Sequence, residues 1–200
     1  MLPDRVTCRD QRRPPAGSDN SRIRIGIVTP GSEPIWAALP ASLSDFYVTH
    51  LVWFDADHVL AGVETRDTQT LTVYSISASD GLARPVLVEH DSAWVNLSRT
   101  WIVPGDARSF VFGSERSGWP HAYRVDVETG TTTALTSGDW EVDSVDAAER
   151  GQVILQARRE SPFDRQLYSV PLAGGTLERL TTAPGWHEAK RSPDGNWVAT

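Results

Sequence analysis

The sequence predicts an all-β protein: a partial β-propeller of about three four-stranded blades plus two incomplete blades, not closed into a ring. Three observations carry this expectation. Trp94, Trp140 and Trp186 stand 46 residues apart. Tyr74, Tyr123 and Tyr168 each precede a glycine (Gly81, Gly130 and Gly175) by seven residues. Between these landmarks lie short runs rich in Val, Ile and Thr, broken by turn residues, and none sustains a helical period. A fixed repeat in the mid-forties, filled with short strands, fits one four-stranded blade. Closed propellers hold about four to eight blades, so the chain reads as a piece of something larger.

The elements follow in order. Residues 1–20 are polar and unpatterned and are expected to be disordered. Residues 21–200 form the propeller region, in units near 21–42 (incomplete), 43–91, 92–138, 139–183 and 184–200 (incomplete). The first unit holds IRIGIV, the turn Pro30-Gly31 and PIWAAL. The second opens with YVTHLVWF and runs through HVLAGVE, LTVYSIS, the Asp80-Gly81 turn and PVLVE. The third repeats the plan from WVNLSRTWIV to TTTALT, and the fourth from WEVDSVDA to TLERLT. The last starts at Trp186 and turns at Ser192-Pro193-Asp194-Gly195.

Alternation fixes the faces of the third strands. Tyr123, Val125 and Val127 share one face, and Ala122, Arg124 and Asp126 the other. Tyr168 with Val170, and Tyr74 with Ile76, repeat that phase. The glycine seven residues on supplies a hairpin conformation that a side chain would strain. The periodic tryptophans are expected to fill the space between neighbouring sheets. A sugar- or peptide-stacking role is the sharper alternative.

Composition narrows the function. The formal net charge is −7, which lacks the basic signature of a nucleic-acid or anionic-membrane partner. Cys8 is the single cysteine, so no internal disulfide or thiolate metal cluster is expected. Arg12 and Arg13 are followed by no apolar stretch, so the N-terminus does not read as a signal peptide or twin-arginine leader. No apolar run is long enough for a membrane helix. The chain reads as soluble, and no compartment follows from the sequence.

The sequence carries none of the common catalytic motifs. The G-x-S-x-G of an α/β-hydrolase is absent, and GSERSG (113–118) has the wrong spacing. His187-Glu188 does not continue into H-E-x-x-H, and neither a phosphate loop nor a dinucleotide fingerprint occurs. Asp55 and Asp57 lack the glycine and closing glutamate of a calcium loop and read as turn residues. The five histidines are scattered among different strands. Glu141 and Asp143 would share one strand face, a spacing that fits a solvated surface at least as well as acid–base catalysis. No catalytic residue, metal site or cofactor is therefore expected in this chain.

A family resemblance attaches to particular residues. SERSGWPHAYRVDVETGTTTALTSGDWEVDSV (114–145) resembles the N-terminal propeller of dipeptidyl peptidase IV-like serine peptidases of the prolyl oligopeptidase superfamily. ESPFDRQLYSVPLAGGTLERLT, SPDGNW, DSAWVNL and RIRIGIV are similar to other parts of the same domain, so the likeness runs from about residue 14 to residue 200. It implies an eight-bladed propeller paired with a C-terminal α/β-hydrolase domain that carries a Ser-Asp-His triad. It also implies a glutamate pair for the substrate's free amine, supplied from a segment N-terminal to the part matched. Glu33-Pro34 is not that motif. The strand after Trp94 approaches the substrate cavity in relatives, which makes Asn96 and Arg99 the substrate-pocket candidates, the arginine for a peptide carbonyl or carboxylate.

Three readings follow. The chain is the non-catalytic propeller segment of such a peptidase, gating and framing the site for peptide N-termini, without activity alone. It is a stand-alone interaction scaffold. Or it is a truncated gene remnant. The expected partners are the α/β-hydrolase domain, a peptide substrate and, through open blade edges, other copies of itself. Neither nucleic acid nor membrane is expected.

Overall fold

The computed structural model describes residues 17–98, 100–105, 108–188, 190–192 and 197–199. Most of the expected disordered N-terminus lies outside them. Sixteen strands and no helix occur among the described residues.

The first pair is β1 (Gly26–Ile27) with β2 (Ile35–Trp36). Sheet one holds β3 (Phe46–Trp53), β4 (His58–Thr65), β5 (Thr70–Ser77) and β6 (Ala83–His90). Sheet two holds β7 (Trp101–Ile102), β8 (Ser109–Ser114), β9 (His121–Asp126) and β10 (Thr132–Ala134). Sheet three holds β11 (Val142–Glu149), β12 (Gln152–Ala157), β13 (Gln166–Pro171) and β14 (Glu178–Arg179). The last pair is β15 (Lys190–Arg191) with β16 (Val198–Ala199). Every pairing within these sheets is antiparallel, and strand order follows chain order. The two end pairs do not join each other. The architecture is thus a partial β-propeller, an open arc.

Apolar clusters between consecutive sheets hold the arc together. The middle strands are buried on both faces because each sheet is sandwiched by two others. In β8, Phe110 and Phe112 face sheet one while Val111 faces sheet three. In β12, Val153, Leu155 and Ala157 join the cluster shared with sheet two. The third strands keep one phase: Tyr74 and Ile76, Val125 and Val127, and Tyr168 and Val170 each face the preceding sheet. Burying such a side chain contributes about 1.5–3 kcal/mol.

The hairpin glycines adopt the conformation the sequence demands. Gly81 has φ +75° and Gly130 has φ +73°. At Gly81 a Cβ would also sit 2.3 Å from the Trp36 carbonyl oxygen, so the close approach itself excludes a side chain.

The tryptophans depart from expectation. Trp140 packs against the cluster between sheets two and three. Trp94 and Trp186 are each 61% exposed. The period therefore marks a loop position, not a core position.

Candidate functional site

Each sheet has two ends. At one lie the turns within the first and last hairpins, for example Asp55–Asp57 and Ala78–Gly81. Backbone bonds tie them together: Ala78 N–H to the Asp57 carbonyl at 2.7 Å, Val127 N–H to Arg108 at 2.9 Å, Leu172 N–H to Gly151 at 2.8 Å. At the other end, the middle hairpin turn meets the connection to the next sheet. Val95 N–H donates to Thr68 at 2.8 Å, and Arg165 N–H donates to Gly185 at 3.1 Å. The periodic tryptophans all lie at this loop end.

Side chains anchor the loop end. His121 is buried, and its Nε2 donates to the Gly138 carbonyl at 2.9 Å. That places Nδ1 as acceptor from the Thr136 hydroxyl, also at 2.9 Å, and the same hydroxyl oxygen accepts from Ala122 N–H at 3.1 Å. Sheet three repeats this with a different residue. Gln166 Nε2 donates to Gly185 at 3.3 Å, its Oε1 accepts from Thr181 at 2.6 Å, and that hydroxyl accepts from Leu167 N–H at 3.0 Å. Each clamp fixes the connection that carries Trp140 or Trp186. Trp140 meets His121 edge-on at 4.9 Å, and Trp186 donates from Nε1 to the Phe163 carbonyl at 2.9 Å.

Charges gather around the same loops. Arg158 binds Asp143 through Nη2 at 2.7 Å and Nε at 3.1 Å, and Glu141 through Nη1 at 2.6 Å. The two carboxylates are thus partners of one guanidinium, a bidentate arrangement that orients Arg158. Arg158 and Arg165 lie 5.5 and 4.6 Å from the Trp186 ring centre, within the range of cation–π attraction. Tyr168 is fully buried; burial, and then its hydrogen bond to Glu160, push its hydroxyl well above the usual tyrosine range.

Asn96 sits on this end, between sheets one and two. Its Oδ1 accepts from Trp94 Nε1 at 3.1 Å, and its Nδ2 donates to Glu115 at 2.7 Å. It lines two cavities. One lies among Glu89, Trp94, Phe112 and Arg116. The other, about 470 Å³, lies among Ser98, Thr100, His121, Asp143 and Ser144. Arg99 lies outside the described residues.

Sequence reasoning missed two features here. Arg116, from the SERSG string, binds the buried Glu89 of β6 and Ser114, and lies 5.1 Å from the Tyr123 ring centre. Glu89 stands 27 residues away, with no signal linking the pair. The clamp did have a signal: His121 and Gln166 both stand two residues before the periodic tyrosine, with a threonine 15 residues on. Among the described residues no group of three or more His, Cys, Asp or Glu side chains could hold a metal ion, and no helix is long and apolar enough to cross a membrane.

Known proteins share this architecture. Crystallised dipeptidyl peptidase 4 from Porphyromonas gingivalis superposes with a TM-score of 0.75 at 20% identity, over 83% of this chain and 24% of that one. "Probable dipeptidyl-aminopeptidase B" of Coccidioides posadasii is 27% identical over 210 residues, 92% of this chain and 22% of its own length. Dipeptidyl-aminopeptidase B of Aspergillus niger is 25% identical over 211 residues, 96% of this chain and 23% of its length. The chain spans less than a quarter of each of these relatives. Residues 3–200 match the family described as "Dipeptidyl peptidase IV (DPP IV) N-terminal region", and the chain belongs to that family.

Proposed function

We propose that the chain is the non-catalytic propeller portion of a dipeptidyl peptidase IV-like serine peptidase. Its loop end packs toward an α/β-hydrolase domain, and its blades admit peptide N-termini while holding folded proteins out. The serine that attacks the carbonyl after the second residue belongs to that other domain. Asn96 and Arg99 line the approach to the substrate. The observation that carries this reading is the family match over residues 3–200 in a chain spanning less than a quarter of relatives named for dipeptidyl-aminopeptidase activity. Exposed aromatics at the loop end and the cavity of about 470 Å³ opening there support the orientation.

Two measurements test it. The purified chain is expected to leave an Ala-Pro reporter uncleaved beyond a mock preparation; turnover that co-purifies with it and is stopped by a serine-directed inhibitor would reverse the non-catalytic assignment. An Ala-Pro peptide with a free amine is expected to shift the Trp94 indole N–H resonance, because that group is bonded to Asn96. No shift at saturating peptide would remove Asn96 from the pocket. A second reading, a protein-interaction scaffold, is favoured by one feature: Trp94, Phe163 and Trp186 all stand exposed at one end.

A further inference from the structure

Sheet one lacks the clamp that holds the connections leaving sheets two and three. His121 and Gln166 stand two residues before Tyr123 and Tyr168, each with a threonine 15 residues on; the same places in sheet one hold Thr72 and Leu87. The connection that carries Trp94 and Asn96 is fixed through its backbone instead. Gln69 Nε2 donates to the Ser92 carbonyl at 2.8 Å, and the Asp91 carboxylate accepts from Ala93 N–H at 2.7 Å. Val95 N–H donates to Thr68 at 2.8 Å. The Asn96 side chain is set from across the gap between the sheets.

The SERSG turn between β8 and β9 sets it. Asn96 Nδ2 donates to Glu115 at 2.7 Å, while its Oδ1 accepts from Trp94 Nε1 at 3.1 Å. The turn is fastened in its own right. Ser114 Oγ accepts from Arg116 N–H at 3.1 Å and from Arg116 Nε at 3.3 Å. Gly118 N–H donates to the Glu115 carbonyl at 2.8 Å, and the Tyr123 hydroxyl donates to Ser117 at 2.8 Å. Arg116 then leaves its own sheet. Its Nε reaches Glu89 of β6 at 3.1 Å, and its Nη2 binds the same oxygen. Glu89 and Asn96 flank one short segment. Adjacent residues of one turn, Arg116 and Glu115, therefore grip that segment at both ends.

The two grips differ in strength. Asn96 and Glu115 are exposed, and water competes for a bond between exposed groups. The Glu89 side chain is only 10% exposed and that of Arg116 30%. A charge-assisted bond with two donors on one carboxylate oxygen is the stronger kind, and losing one partner leaves the other charge buried and uncompensated. The weak grip on Asn96 lasts only while the strong one holds Glu115 beside it. We infer that Arg116 is a positioning residue for the pocket. Anchored on Glu89, it holds Glu115, which aims Asn96 and, through Asn96, the indole of Trp94. Arg116 itself touches no substrate. Its value to substrate binding rests on the placing of Asn96 at the substrate approach; the positioning does not.

Arg116→Lys keeps the charge and loses the second donor. In the full chain this variant is expected to keep the circular dichroism of the wild type and to shift the Trp94 indole N–H resonance. Exchange of that proton with water is expected to quicken about two- to tenfold, the scale of one hydrogen bond. The Trp186 indole proton, bonded to the Phe163 carbonyl at 2.9 Å, is expected to exchange as before, which separates local aim from general loosening. Glu89→Gln removes the charge from the other side and keeps an acceptor of the same size. It is expected to act alike, and it takes the place of Arg116→Lys where that variant loses its β signal. Affinity for an Ala-Pro peptide with a free amine is expected to fall about two- to tenfold in Arg116→Lys, and to fall no further when Arg116→Lys is added to Asn96→Ala. A Trp94 proton unmoved in both folded variants overturns the inference, as does equal quickening at Trp94 and Trp186, or an additive loss of affinity. The exchange readings need no peptide. A wild-type chain that binds no peptide removes Asn96 from the pocket, while those readings still decide whether Arg116 aims it.

Discussion

The turn end and the loop end of the sheets are built on different principles. At the turn end one backbone bond recurs in all three complete sheets, at 2.7, 2.9 and 2.8 Å, and no side chain is needed to make it. At the loop end the same mechanical task, holding a connection against a neighbouring hairpin, is done by His121 in one sheet and Gln166 in the next. In sheet one, Gln69 Nε2 donates to Ser92 at 2.8 Å and does it differently again. A backbone solution leaves little to vary beyond glycine placement. A side-chain solution lets each blade differ while the scaffold stays put, which is where binding groups gather on loop-bearing folds.

The sharpest way to break this contrast is at the clamp. His121→Ala removes both ring bonds: the Thr136 hydroxyl keeps the Ala122 N–H but its own proton loses its acceptor, and the Gly138 carbonyl loses its donor. Thr136 is buried while Gly138 is exposed to water, so one stranded group counts, and a loss of about 1–3 kcal/mol is expected. His121→Gln imports the chemistry of Gln166 and is expected to stay within about 1 kcal/mol of wild type. Denaturant midpoints of the three proteins check both. Equal losses for Ala and Gln would mean that ring packing on Trp140, not the bonds, holds the loop.

A smaller effect is expected at the opposite end. Gly130→Ala places a side chain at φ +73°, with its Cβ 3.2 Å from the Val86 carbonyl oxygen. The left-handed conformation costs an ordinary residue about 1–2 kcal/mol, and a loss of that size is expected in the same denaturation assay. Gly130→Asn, a residue that tolerates this region, recovers part of it. Its Asp126-centred turn, in which Thr129 N–H donates to the carboxylate at 2.8 Å, is expected to remain.

These two ends also mark what the sequence could reveal. Turn glycines and the phase of Tyr123, Val125 and Val127 were legible because both are local: φ at Gly130 and alternation along β9 depend on residues a few positions apart. The three sheets follow from them. The tryptophan period was legible as a repeat but not as an environment, since exposure of Trp94 and Trp186 depends on what else reaches the loop end. Arg116 with Glu89, and Arg158 with Asp143 and Glu141, join residues 15 to 27 positions apart, and no spacing rule links them. The His121 and Gln166 pair hid for another reason. The two residues look unlike, and only their shared acceptor and donor geometry makes them one position.

Between the two ends lies His50, at the middle of β3, where the smallest effect is expected. Its ring stacks on Trp101 with planes 7° apart, and its Nδ1 is buried without a hydrogen-bond partner. Burial holds its pKa below the ordinary 6.5, because the charged ring would lose its water. The unfolded chain therefore takes up this proton first as pH falls. Stability from the neutral ring is complete above about pH 6.5 and declines below it. His50→Phe keeps an aromatic surface on Trp101 and removes the titration. The wild type is therefore expected to lose more stability than the variant between about pH 7.5 and about pH 5.5. Parallel midpoints across that range would show that His50 reaches water when protonated, and that the stack with Trp101 opens at little cost.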